Sequence, residues 1–154
     1  MAEPINPRVD IGHVHLKVAD LDRALAFYTG ILGFEVTARM GPSAAFLSAG
    51  GYHHHIGLNT WESRNGTPPA AGTTGLYHVA IRYPDRAALG EALYLRDPDE
   101  NGVELYWDRL PDLWPRTPQG ELAMFTRRLD LNGLLKEVEA AKDAPKVGEG
   151  PQDL

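Results

Sequence analysis

Cysteine is absent from the 154 residues. Its absence excludes disulfide scaffolds, Cys-based zinc sites and thiol nucleophiles together. No apolar run approaches the roughly 20 residues needed to cross a bilayer. A basic excess is missing too. The formal net charge of -6 and the pI near 5.4 argue against a nucleic-acid or anionic-membrane partner, either of which would select a basic surface. The opening segment MAEPINPRVD has neither a basic start nor an apolar core, so no signal peptide is expected and the expected location is cytoplasmic. What remains is 43% apolar and 23% charged, the composition of one globular domain that handles a small molecule.

Histidine is distributed unevenly. His13, His15, His53, His54, His55 and His78 account for all six, and none occurs beyond residue 78. The triplet His53 to His55 lies between Tyr52 and Ile56, inside an apolar pattern rather than at a terminus where a tag would sit. Without cysteine, His with Asp or Glu is the strong ligand set left, and it suits iron, manganese, zinc or nickel.

The hydrophobic pattern predicts β-α-β-β-β over residues 11–61. IGHVHLKV alternates and is rich in β-branched residues, as a half-buried strand requires. Asp20 follows as an N-cap, and Leu21, Ala24, Leu25, Phe27, Tyr28 and Leu32 recur at helical spacing until Gly33 ends the helix. FEVTARM, AAFLSA and HHHIGLNTW read as three further strands. A Pro/Gly connector covers 62–74. GLYHVAIRY is then a strand, DRAALGEA a short helix, and ALYLRDPDENGVELYW a hairpin about DPDENG. LDLNGLLKEVEAAK near the end carries Leu131, Leu134, Leu135 and Val138 at helical spacing.

The second half repeats the first. His13-Val14-His15-Leu16-Lys17-Val18-Ala19-Asp20 aligns with His78-Val79-Ala80-Ile81-Arg82-Tyr83-Pro84-Asp85, and Ile56-Gly57-Leu58 with Val103-Glu104-Leu105. The expected class is therefore α+β, with paired βαβββ modules forming curved mixed sheets around a metal cavity. Module one spans 11–61 and module two 75–107, which is 18 residues shorter and lacks the length for a full helix and one strand. These modules make one domain over 1–120, followed by a helical extension over 121–146 and a disordered tail over 147–154. The repeat sets His13 and His78 at equivalent points. Glu104 has Gly57 as its equivalent, so one corner of the symmetric arrangement carries no ligand. By strand alternation His55 faces the same cavity, with His53 and His54 at the surface or rim. Trp61, Trp107 and Trp114 read as packing residues.

GHVHLKVADLDRALAFYTGILGFEV, LYHVAIRY and YLRDPDENGVELY together resemble the vicinal oxygen chelate superfamily, which includes glyoxalase I, extradiol dioxygenases, fosfomycin-resistance transferases and bleomycin-binding proteins. The resemblance covers about residues 9–110 and is nearest to single-chain proteins of the catechol-2,3-dioxygenase-like type. It implies His13, His78 and Glu104 as metal ligands, and Tyr94 as the tyrosine that extradiol enzymes keep beside the metal. Such a facial set of two His and one carboxylate holds Fe(II) or Mn(II) and leaves positions open, with Zn(II) or Ni(II) as alternatives. Glyoxalase I-like members carry a second carboxylate where Gly57 stands, and bleomycin-binding members lack the ligands.

The expected activity is extradiol ring cleavage of a catecholic aromatic small molecule by O₂, with His55 and Tyr94 managing protons. The alternatives are another metal-dependent lyase, isomerase or thiol transferase, and a non-catalytic binding protein of the same fold. Two departures from relatives carry structural expectations. The short second module leaves an unpaired strand edge, which predicts a homodimer. Glu100 stands in DPDENG where relatives have Gly, and it strains the turn if φ is positive there.

Overall fold

The computed structural model describes residues 3–85, 89, 94–108, 110–123, 132, 133, 135, 136, 139 and 140. It divides into two units: Met1–Val79 with Arg96–Gly102, and Ala80–Leu95 with Val103–Leu154. The expected helix over DRAALGEA, most of the C-terminal helix and the tail over 147–154 lie outside the described residues.

The first unit is built on β1 (Val14–Lys17), α1 (Leu21–Gly30), β2 (Glu35–Met40), β3 (Ala44–Ser48) and β4 (Ile56–Asn59). The strands form one sheet in the order β1-β4-β3-β2, with β1 parallel to β4 and the other pairs antiparallel. This is the predicted β-α-β-β-β order. Asp20 caps α1 by accepting from the Arg23 N–H at 2.8 Å, which satisfies one of the helix's unbonded amides. The helix buries Leu21, Ala24, Leu25, Phe27 and Tyr28, and the sheet buries Leu16, Leu47, Ile56 and Leu58. Removing such side chains from water stabilises the fold by about 1.5–3 kcal/mol each. Gly33 takes φ 78 and turns the chain from α1 into β2.

One strand is shorter than its sequence suggests. HHHIGLNTW alternates, yet β4 begins only at Ile56, and residues 53–55 form a bend. The Thr37 hydroxyl donates to the His53 carbonyl at 2.8 Å, at the register shift between Val36 and Ala38 in β2. That bond anchors the chain at His53, while His55 already joins the sheet, its N–H donating to the Leu47 carbonyl at 2.8 Å and its carbonyl accepting from the Val14 N–H at 3.0 Å.

A second sheet has the order β5-β7-β6, from β5 (Val79–Tyr83), β6 (Leu95–Arg96) and β7 (Gly102–Trp107). Among the described residues this sheet has three strands, against four in the first. A 3₁₀ turn, Pro111–Leu113, follows.

The turn over 97–101 groups with the first unit, although the repeat assigns it to module two. The reason is a pair of buried carboxylates. Asp97, 2% exposed, accepts from the Tyr28 hydroxyl at 3.0 Å, from the Asn101 amide group at 2.9 Å, and from the backbone N–H groups of Asp99 and Asn101 at 2.9 Å each. Asp99 accepts from Arg23 Nη2 at 2.7 Å and from the Ala19 N–H at 3.1 Å. Burial, followed by the Asp97 charge and hydrogen bond and the Asp99 charge, pushes the Tyr28 hydroxyl pKa far up, so Tyr28 stays a donor.

Within this turn Glu100 has φ 64, a region that favours glycine. A left-handed residue other than Gly costs about 1–2 kcal/mol, and the Arg96–Glu100 pair at 3.6 Å is exposed and repays little. Glu100→Gly should therefore raise stability by about 1 kcal/mol in urea unfolding. A lowered midpoint would show that the turn is not strained.

Candidate active site

His13 and His78 occupy matching places. His13 immediately precedes β1 and His78 immediately precedes β5. Both lie in the first unit, whereas Glu104, in β7, and Tyr94 lie in the second. His13 and Tyr94 are exposed; His55, His78 and Glu104 are half-buried. Gly102 opens β7 beside His78. A Cβ there would run into the Tyr77 carbonyl and come within 3.0 Å of His78 Cβ, so only glycine allows this approach. Among the described residues, no three His, Asp or Glu side chains form a group able to hold a metal ion. The donor chemistry of His13, His78 and Glu104 does suit a divalent metal, since imidazole and carboxylate are its usual ligands.

β1 alternates as predicted. Leu16 and Val18 are buried, while His13, His15 and Lys17 are exposed. His15 pairs across the ladder with Gly57, which also pairs with Phe46. The imidazole lies over Gly57, and a Cβ at 57 would stand 2.9 Å from His15 Cγ and Nδ1. Phe46 meets the His15 ring edge-on at 6.0 Å and Trp61 meets it tilted at 5.5 Å. Trp61 is 56% exposed, so it flanks a histidine at the surface rather than filling the core.

The histidine triplet divides its tasks in an unexpected way. His54, expected at the rim, meets His13 at 4.4 Å and Phe46 at 5.1 Å between ring centres. His55 is instead tied back to its own sheet. The Ala49 N–H donates to its Nδ1 at 3.3 Å, Ser48 Oγ stands 3.1 Å from the same nitrogen, and Tyr52 packs on the ring at 4.8 Å. An N–H aimed at Nδ1 places the ring proton of His55 on Nε2. Because 53–55 is a bend, strand alternation does not apply there, and His54 reaches His13. The sequence signal for this was weak: only the adjacency of three histidines.

Desolvation and the neighbouring His13 hold His15 below the ordinary histidine range. Desolvation, then His13, His53, His15 and His55 in that order, does the same to His54.

The glyoxalase/bleomycin resistance protein/dioxygenase superfamily profile matches residues 10–104. The chain belongs to this superfamily. Catechol-2,3-dioxygenase of Bacillus subtilis is 50% identical over 80 residues, which are 51% of this chain and 28% of that protein. The chain thus covers well under two thirds of that relative. Two crystal structures share the fold: a lactoylglutathione lyase from Agrobacterium tumefaciens, with TM-score 0.50 and 23% identity over 66% of this chain and 96% of that one, and a glyoxalase/dioxygenase from Nostoc punctiforme, with TM-score 0.50 and 20% identity over 71% of this chain and 97% of that one. At those identities the likeness concerns the fold alone.

His15 and His54 should titrate below about 6.5, the value of an unperturbed imidazole. A folded-state value below the unfolded one means that the unfolded chain binds more protons as pH falls. Their contribution to stability is therefore present above that value and is lost as pH drops through and below it. An NMR titration of the imidazole Cε1–H signals of the metal-free protein checks this. Midpoints at or above the ordinary value for both residues would contradict it.

Proposed function

We propose that the chain is a metal-dependent extradiol dioxygenase that opens the ring of a catecholic small molecule with O₂. The observation that carries this reading is the 50% identity to a catechol-2,3-dioxygenase across a segment of 80 residues. The proposed ligands are His13, His78 and Glu104, and Fe(II) or Mn(II) suits that donor set. The bound metal would supply Lewis acidity toward the diol and a place for O₂.

The chain's own residues would then bind and move protons. His55 holds its proton at Nε2, because Nδ1 already accepts from Ala49. It is the proposed proton donor: the Nε2–H would hydrogen-bond a diol oxygen and supply a proton to the opening product, with solvent restoring it. Tyr94 offers a phenol, half exposed, as a second proton carrier. Gly57 bears on the alternative isomerase chemistry. With the His15 ring 2.9 Å from any Cβ at 57, a carboxylate side chain at that place would require His15 to move aside.

Anaerobic loading with Fe(II), followed by catechol and O₂, should give a yellow ring-fission product. His13→Ala, His78→Ala and Glu104→Ala should each lower metal content sharply. His55→Ala should retain metal and slow turnover by about 10²–10⁴-fold. Stoichiometric metal in all three folded ligand variants, or a loaded wild type that leaves catechol intact, would overturn the reading.

A further inference from the structure

A cleft of about 480 Å³ runs beside β1 in the first unit, within the size range of small-molecule sites. His15, Lys17, Glu62, Ser63, Pro68 and Leu76 are among the residues that line it. His15 is its aromatic end, fixed over Gly57 and backed by Trp61. Pro68 and Leu76 give it an apolar wall. Lys17 follows His15 on the same face of β1, about 7 Å farther along the strand. Asp99 also lines the cleft, but Arg23 matches its charge at 2.7 Å. The cation left on the strand is Lys17. Its partner Glu62 stands 3.6 Å away with a side chain 80% exposed on the turn after β4. Such a surface pair holds weakly and opens readily.

We infer that this cleft is a subsite for the substituent of an aromatic ligand, with His15 as the floor on which the ring rests and Lys17 as the cation that receives an acidic group at the substituent's end. On the reading under Proposed function, from which the diol is taken, the preferred substrates are catechols with a short side chain ending in a carboxylate. His15 and Lys17 lie in one row along β1, with His13 just ahead of the strand, so a ligand with its ring near His15 reaches Lys17 through about two or three methylene groups. Glu62 gives way to the incoming carboxylate. Lys17 is here a specificity-determining residue, and His15 a positioning one.

The test uses the full metal-free chain and three isosteric probes without a diol: 3-phenylpropionate, 3-phenylpropan-1-ol and 3-phenylpropylamine. By calorimetry the propionate should bind most tightly. Lys17→Gln should weaken it about tenfold, a loss of the size expected for one charge-assisted contact, and leave the alcohol unchanged. Lys17→Arg should restore most of the affinity, and Glu62→Gln should increase it. His15→Ala should weaken all three probes. Lys17 and Glu62 are exposed, so these variants are expected to fold, which circular dichroism verifies. Absence of propionate binding, equal or tighter binding of the amine or alcohol, or an unchanged Lys17→Gln affinity would each overturn the subsite. Because the probes carry no diol, failure of ring cleavage leaves this test standing. Cleavage of 4-propylcatechol as readily as its carboxylate analogue would reject the subsite while sparing the activity.

Discussion

Two carboxylates buried in one turn hold the first unit together across the sequence. Asp97 and Asp99 meet groups on and just ahead of α1 that lie 69 to 80 residues earlier in the chain. A buried carboxylate is costly unless its oxygens are bonded, and Asp97 accepts four hydrogen bonds, whereas Asp99 takes both of its bonds on Oδ1 and leaves Oδ2 buried without a partner among the described residues. Asp99 is matched by a guanidinium and a backbone amide. Removing one partner of such a set leaves a charge without compensation, and that is costly. The turn they hold leads into Gly102, where β7 begins beside His78, and β7 carries Glu104. The strained φ at Glu100 persists because the surrounding bonds over-determine the turn.

The same economy governs the face of β1. One glycine at 57 lets the His15 ring lie flat on the sheet, and Phe46 and Trp61 then fix it from two sides. A histidine that would be a loose surface side chain becomes a positioned aromatic surface. Next to it His54 packs on His13, so the proposed ligand of the first module has a ring neighbour that sequence reasoning assigned to the rim. His13 stands immediately ahead of β1 and His78 immediately ahead of β5, the two positions that the sequence repeat aligns.

Much of this was legible from local pattern. Asp20 as a cap, the helical spacing from Leu21 to Tyr28, and the repeated octapeptides ending at Asp20 and Asp85 each depend on near neighbours, and the elements formed where they indicate. The bend at His53 to His55 was not legible, because the bond that anchors its first residue comes from Thr37 in another strand. Nor was the burial of Asp97 and Asp99. DPDENG reads as an exposed turn until Tyr28 and Arg23 arrive from the helix. The cover that Gly57 receives from His15 was hidden for a related reason: the ladder register sets it, and register is a property of two strands.

The central claim is that His13, His78 and Glu104 are the ligands of one functional metal. The most direct measurement is anomalous diffraction at the iron or manganese edge from crystals loaded anaerobically with that metal. The account predicts a single strong peak bonded to an imidazole nitrogen of His13, an imidazole nitrogen of His78 and the carboxylate of Glu104. A peak held instead by His53 and His54, or one that lacks any of the three predicted donors, would contradict it.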